Sequence, residues 1–264
     1  MGRNPFWAAL DAVLVVRTEK DSSGHPEWSW KAYVPHGVPV YELPPVPVPL
    51  PEGDWDKERF RKERRKAARV LGHQAALTLA SSFHFSRFMI VEEECRFRLP
   101  VIGSTARMLG QLLKGCRERT ALFLSEPRLS PQTACSVAKG EKSILLRVTD
   151  MAASAAYVMD LSLCERILLS LPSDQRVWPW LRYYGSLEEW FARYLGRYGD
   201  LYALSPAFVS CGEGAPMPSL CKSLGHFNNA RTKYTDLSYL VNPAVNSWRW
   251  LKNVNIFSGR KRLG

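Results

Sequence analysis

Seven prolines fall between residues 35 and 51 (Pro35, Pro39, Pro44, Pro45, Pro47, Pro49 and Pro51), and no other stretch limits the fold so tightly. Each fixes φ and lacks an N–H, so the stretch favours polyproline II and is barred from helix interiors and central strands. Two uses fit. The simpler is a stiff spacer. The other is a recognition arm lying along another protein, because a preformed extended segment loses little entropy on docking. Val38, Val40, Val46 and Val48 alternate with the prolines and keep the second use open, since a solvated linker does not need them.

The flanks read differently. Upstream, residues 12–16 form an apolar, β-branched run and residues 28–34 alternate large apolar with smaller or polar side chains. The turn-rich segment 21–26 lies between them, which predicts a β-hairpin over 1–34. Downstream, Asp54 or Asp56 can cap a helix that runs without a breaker through residue 69 and turns apolar from Val70 to Ala80. Further helices are predicted over 104–124, over a short segment from Ser130 to Gly140, and over 149–171. Ser186 with Glu189 forms a capping box for another helix that ends at Gly199. Residues 205–235 look irregular, and Asn242 with Pro243 announces a last helix that closes at Ser258 and Gly259. The predicted class is mainly α: a hairpin at 1–34, a Pro-rich extended arm at 35–53, a helical body at 54–204, and an irregular segment plus C-terminal helix at 205–264.

Charge gives the main functional signal. The formal net charge is +11, which draws a protein towards polyanions. Residues 56–69 hold eight basic and three acidic side chains, a net +5 on about four turns. Arg59, Lys62, Lys66 and Arg69 share one side at helical spacing, with Arg61, Arg64 and Arg65 beside them, and such a stripe can neutralise several phosphates. The plain reading is a solvated face steadied by Glu58 and Glu63, but five net charges on a short helix repel one another without a partner. Arg260, Lys261 and Arg262 add a second small patch.

There are nine Trp. Trp178 and Trp180, and Trp248 and Trp250, lie close to Arg and could stack on bases. Packing in a core or a protein interface is the ordinary use of large aromatics, so these four are assigned to an interface. Glu92, Glu93 and Glu94 read as a surface acidic knob able to pair with the chain's own Arg. Cys211, Cys221 and His226 fit no common zinc spacing, so no metal is expected and no cofactor is called for. The sequence has no nucleophile elbow, Walker loop, dinucleotide fingerprint or H-E-x-x-H.

No Cys pair has C-x-x-C spacing, the opening residues lack a secretory pattern, and the longest apolar stretch (151–164) contains Asp160. An intracellular, reducing compartment and no transmembrane segment are expected. These features together predict a non-catalytic scaffold component of a larger assembly, packed on other protein subunits and touching RNA or another acidic partner through the basic helix. The first alternative is a peripheral or matrix-type protein whose basic helix faces anionic lipid, at about 1 kcal/mol per basic residue near the surface. The second is an enzyme with an unrecognised site, which a polar site holding His73, His84 or His226 beside a carboxylate would favour.

Overall fold

Ala12–Val16 (β1) is the strand around which the protein is organised. The computed structural model describes residues 4–18, 34–51, 56–97, 101–116, 118–125, 134–139, 143–149, 151–211 and 255–257. Within it, β1 is flanked on both sides by parallel strands, Val40–Leu43 (β2) and Arg87–Glu92 (β3). The predicted hairpin needs one of those edges, and over residues 13–16 both are taken. The hairpin is therefore corrected to an inner strand of a large sheet, its second strand having been placed almost wholly outside the described residues.

The proline-rich stretch is corrected in the same way. β2 occupies the four proline-free positions between Pro39 and Pro44, and the carbonyl of Pro39 still accepts from the Val13 N–H at 2.9 Å. Proline loses a donor but keeps an acceptor, so prolines can flank an inner strand even though they cannot fill one. Val46 and Val48 then pack on the core, and the Trp178 indole donates to the carbonyl of Pro49 at 2.9 Å. The stretch is a strand and strap of this chain's own body.

From residue 56 onward the described elements are Lys57–Ser82 (α1), Cys95–Phe97 (β4), Gly103–Gly115 (α2), Thr120–Phe123 (β5), Ala134–Lys139 (β6), Ile144–Val148 (β7), Ala156–Asp160 (β8), Leu161–Leu168 (α3), Val177–Tyr184 (α4), Leu187–Tyr194 (α5), Asp200–Ser205 (β9), Val209–Cys211 (β10) and Asn255–Phe257 (β11), with β3 between α1 and β4. Nine strands form one mixed sheet in the order β11-β2-β1-β3-β8-β5-β9-β7-β6, and β4 pairs with β10 separately. β8 is antiparallel to both β3 and β5, whereas β5 and β9 are parallel. α1, α3, α4 and α5 cover one face over Ala12, Leu14, Phe88, Ile90 and Phe123. α2 and the N-terminal turn cover the other over Val13, Val15, Met89, Val91 and Leu122. The fold is a layered α/β one, not mainly α, so the helical body at 54–204 and the expectation of an α-helical structural protein are both overturned.

Two of the errors share one physical cause. Strands buried on both faces carry apolar residues at every position and lose the alternation that marks a half-exposed strand. β5 and β8, each buried throughout, were therefore absorbed into predicted helices at 104–124 and 149–171. Residues 134–139, within the short helix predicted to end at Gly140, form β6, an edge strand among the described residues. Residues 255–257, placed in the last predicted helix, form β11 antiparallel to β2. Signals that depend on one local contact agree with the structure: Asp56 caps α1 by accepting from the Arg59 N–H at 2.8 Å, and Ser186 caps α5 by accepting from the Glu189 N–H at 3.2 Å.

Candidate functional site

β1, β2 and β3 run parallel, and the chain leaves β1 towards β2 on one side before α1 carries it back across to β3 on the other. That reversal makes a topological switch point at the carboxyl ends of β1 and β3, the place where open α/β sheets take their ligands. Arg17, Thr18, Glu92, Glu93 and Glu94 follow or end these strands. Glu93 folds back on β1, accepting from the Thr18 N–H at 2.9 Å and from Arg17 Nε at 3.3 Å.

Beneath this edge lies a buried polar network. Alternation along β3 places Glu92 on the same face as Phe88 and Ile90, under α1. His73 of α1 is fully buried, with Nε2 3.0 Å from Glu92 Oε1 and Nδ1 2.9 Å from the Tyr157 hydroxyl. A carboxylate only accepts, so Nε2 carries the proton; in the neutral ring Nδ1 then accepts from the phenol. Arg69 spans two carboxylates, with Nη2 3.1 Å from Glu92 Oε2 and Nη1 2.8 Å from Glu188 Oε1 at the start of α5. Ser154 Oγ lies 3.1 Å from Glu92 Oε1 and 2.9 Å from Glu188 Oε1. One hydroxyl proton serves only one of these oxygens at a time.

Burial pushes the Glu92 carboxyl up. The hydrogen bond from His73, the Arg69 charge and Ser154 outweigh it and hold the group below its ordinary range. Burial also raises Glu188, and the Arg69 charge again wins, so it too is lowered. Arg69 loses stability as a cation through burial, but Glu92, Glu188 and Glu94 more than restore it. Burial drives the Tyr157 phenol well up, so it stays protonated.

α1 is the element that links the network to the surface. A Cβ on Gly72 would meet Val16 Cγ1 at 2.6 Å, so the helix touches the last residue of β1 there. Residues 72–82 rise about 15 Å, enough to match the height of β1, whose five residues span about 17 Å. Residues 57–66 therefore extend past the carboxyl edge of β1, beyond the buried Ala67 and Ala68. The stripe that lies on the sheet, running through Gly72, His73, Ala76 and Ala80, continues at the same helical spacing through Arg69, Lys66, Arg65 and Lys62. The helix face that covers the sheet turns basic where the sheet ends.

The basic residues predicted as an anion site divide along this line. Arg59, Arg61, Lys62, Arg64 and Arg65 are exposed, Lys66 is half-buried with Nζ 2.9 Å from Glu63 Oε1, and Arg69 is committed to Glu92 and Glu188. Trp178 and Trp180 are buried within this chain, the latter donating to the Ser170 carbonyl at 3.1 Å. Trp248, Trp250, Arg260, Lys261, Arg262, Cys221 and His226 lie outside the described residues. The sequence names His73 only in the enzyme alternative and Glu92 only as part of a surface acidic knob, whereas the structure buries the two 3.0 Å apart; Ser154, Tyr157 and Glu188 were passed over as site residues. The one usable signal was an acidic run ending an apolar strand-like segment, since alternation must then send one carboxylate inward. Among the described residues no group of His, Cys, Asp and Glu could hold a metal ion, and no helix is long and apolar enough to cross a membrane. Cys95, Cys116, Cys135 and Cys164 are free thiols.

No family model matches the chain. No curated protein matches it either. Among solved structures it is similar to the crystal structure of mannose-1-phosphate geranyltransferase from Thermus thermophilus, at 12% identity and a TM-score of 0.31. That match covers 72% of this chain and 57% of the other, so the chain spans a little over half the length of that protein.

Proposed function

We propose that the chain binds a small anionic ligand, of the phosphate-bearing class, at the carboxyl edge of β1 and β3 under the basic overhang of α1. The observation that carries this reading is the continuity of one helix stripe. Gly72, His73, Ala76 and Ala80 are explained by the sheet beneath them; Lys62, exposed on the same side two turns beyond the edge, is not. The positive end of the helix macrodipole adds to this field and favours an anion there. Arg also offers forked donors suited to phosphate oxygens.

The test is calorimetric titration with inorganic pyrophosphate at low salt, comparing the unaltered chain with Lys62→Gln plus Arg65→Gln. Saturable binding that weakens about tenfold or more in the double variant supports the reading. Pyrophosphate binding that the double variant leaves unchanged would sink it. The lipid alternative and an acidic protein partner use the same side chains over a larger surface. Tighter retention on anionic vesicles than on pyrophosphate, with no small-anion binding, would move the assignment to them.

A further inference from the structure

We propose that Arg69 is the positioning residue of this edge: its guanidinium sets where the basic overhang points, without itself serving the ligand. The inference rests on the binding reading above. Arg69 ties the stripe to the sheet through Glu92 at the end of β3, and the next stripe positions towards the N-terminus, Lys66 and Arg65, lie a turn beyond it. It is held at both tips, by Glu92 at the end of β3 and by Glu188 at the start of α5. Neither anchor is loose. Glu92 is fixed from within by His73, which Tyr157 fixes in turn, and Ser154 lies against both carboxylates.

A planar fork gripping two separately anchored carboxylates constrains rotation of the helix about its axis as well as its level along that axis. Lys62 follows at seven residues, so its direction is inherited from that grip. Two further facts separate positioning from simple stability. The charge of Arg69 is already answered by two carboxylates, leaving no spare attraction for a ligand. Its Nε is buried and, among the described residues, has no hydrogen-bond partner, so the arrangement is not the one that best satisfies the side chain.

Arg69→Lys keeps the charge and loses the fork. We expect it to weaken pyrophosphate binding about tenfold in a chain that still melts cooperatively. The loss should shrink to twofold or less when the same change is made in a Lys62→Gln background, because a misdirected Lys62 cannot cost a contact that has already been removed. A general loss of stability would lower affinity equally in both backgrounds. Should Arg69→Lys fail to fold, Glu188→Ala releases one tip of the fork at a partly exposed site and should weaken binding by a smaller factor with the same dependence on Lys62. Affinity unchanged by Arg69→Lys or Glu188→Ala, or lowered equally with and without Lys62, overturns the positioning role. If Lys62→Gln with Arg65→Gln leaves pyrophosphate binding intact, the binding reading fails and this inference falls with it. If that pair loses binding while Arg69→Lys does not, the positioning role alone is lost.

Discussion

From residue 69 to residue 82 the inward positions of α1 are apolar, glycine or polar with partners, whereas residues 57–66 of the same helix carry seven basic side chains and bury none of them fully. Both halves form for the same local reasons: a capped start at Asp56 and no breaker for 26 residues. What differs is the neighbour. The later half lies against β1, β3 and α3, and each of its residue types follows from that contact. The earlier half touches the body through Phe60, whose ring centroid lies 6.4 Å from that of Trp178, and that contact does not call for a run of cations. Where packing explains a sequence, stability is the selected quantity; where it does not, another requirement is.

The comparison is broken most forcefully at its boundary. Glu92→Ala removes the carboxylate that pairs with both Arg69 and His73, leaving the half-buried guanidinium with Glu188 alone and the buried imidazole N–H without its acceptor. Such changes cost about 3–5 kcal/mol, and denaturant unfolding should show a loss of that order. A loss below about 1 kcal/mol would mean the network is dispensable to the fold.

Within the later half, Leu77→Ala should cost about 2–5 kcal/mol, since the side chain is fully buried. The matched change in the earlier half, Lys62→Gln, should stay within about 0.5 kcal/mol. Similar costs at the two positions would erase the distinction between the halves. Gly72→Ala tests the later half where it meets β1. The added methyl meets Val16 at the end of β1, and overpacking of this kind costs about 1–3 kcal/mol.

Acid should act on the junction as well. Glu92 and Glu188 are both lowered in the folded chain, so their contribution is complete above the unfolded carboxylate value of about 4.3. It is lost as pH falls through the lower folded values. Melting temperatures followed from pH 6 to pH 3 should fall less steeply for Glu188→Gln than for the unaltered chain. Parallel curves would show that Glu188 does not contribute to acid sensitivity.

The legibility of this sequence follows the range of the interactions involved. Caps are contacts between residues three apart, and Asp56 and Ser186 were readable because everything they need is local. The proline stretch was read correctly as non-helical and wrongly as external, because its place beside β1 depends on pairing across some 27 residues. β5 and β8 failed because full burial erases periodicity. The network was least accessible: Arg69 and Glu188 are 119 residues apart, and His73 and Tyr157 are 84 apart. The basic stripe was visible from the start, but its meaning needed the sheet edge that it overhangs.

The smallest expected effect concerns the cost of that stripe to the free protein. Arg61 sits within one turn of Lys57, Arg64 and Arg65, with Glu58 as its one acidic neighbour at that spacing, and it lies near the positive end of the helix dipole. Each like-charge neighbour costs a few tenths of a kcal/mol, and the dipole adds a comparable amount. Arg61→Gln should therefore raise stability by about 0.3–0.5 kcal/mol at low salt, and the gain should fade as salt screens the charges. If the residue serves the ligand, the same variant should bind pyrophosphate more weakly. A gain in stability coupled to a loss of binding is the mark of a side chain kept against the interest of the fold. A variant that is less stable at every salt concentration would instead place Arg61 among the residues that hold the helix together, and the earlier half of α1 would then follow the same rule as the later one.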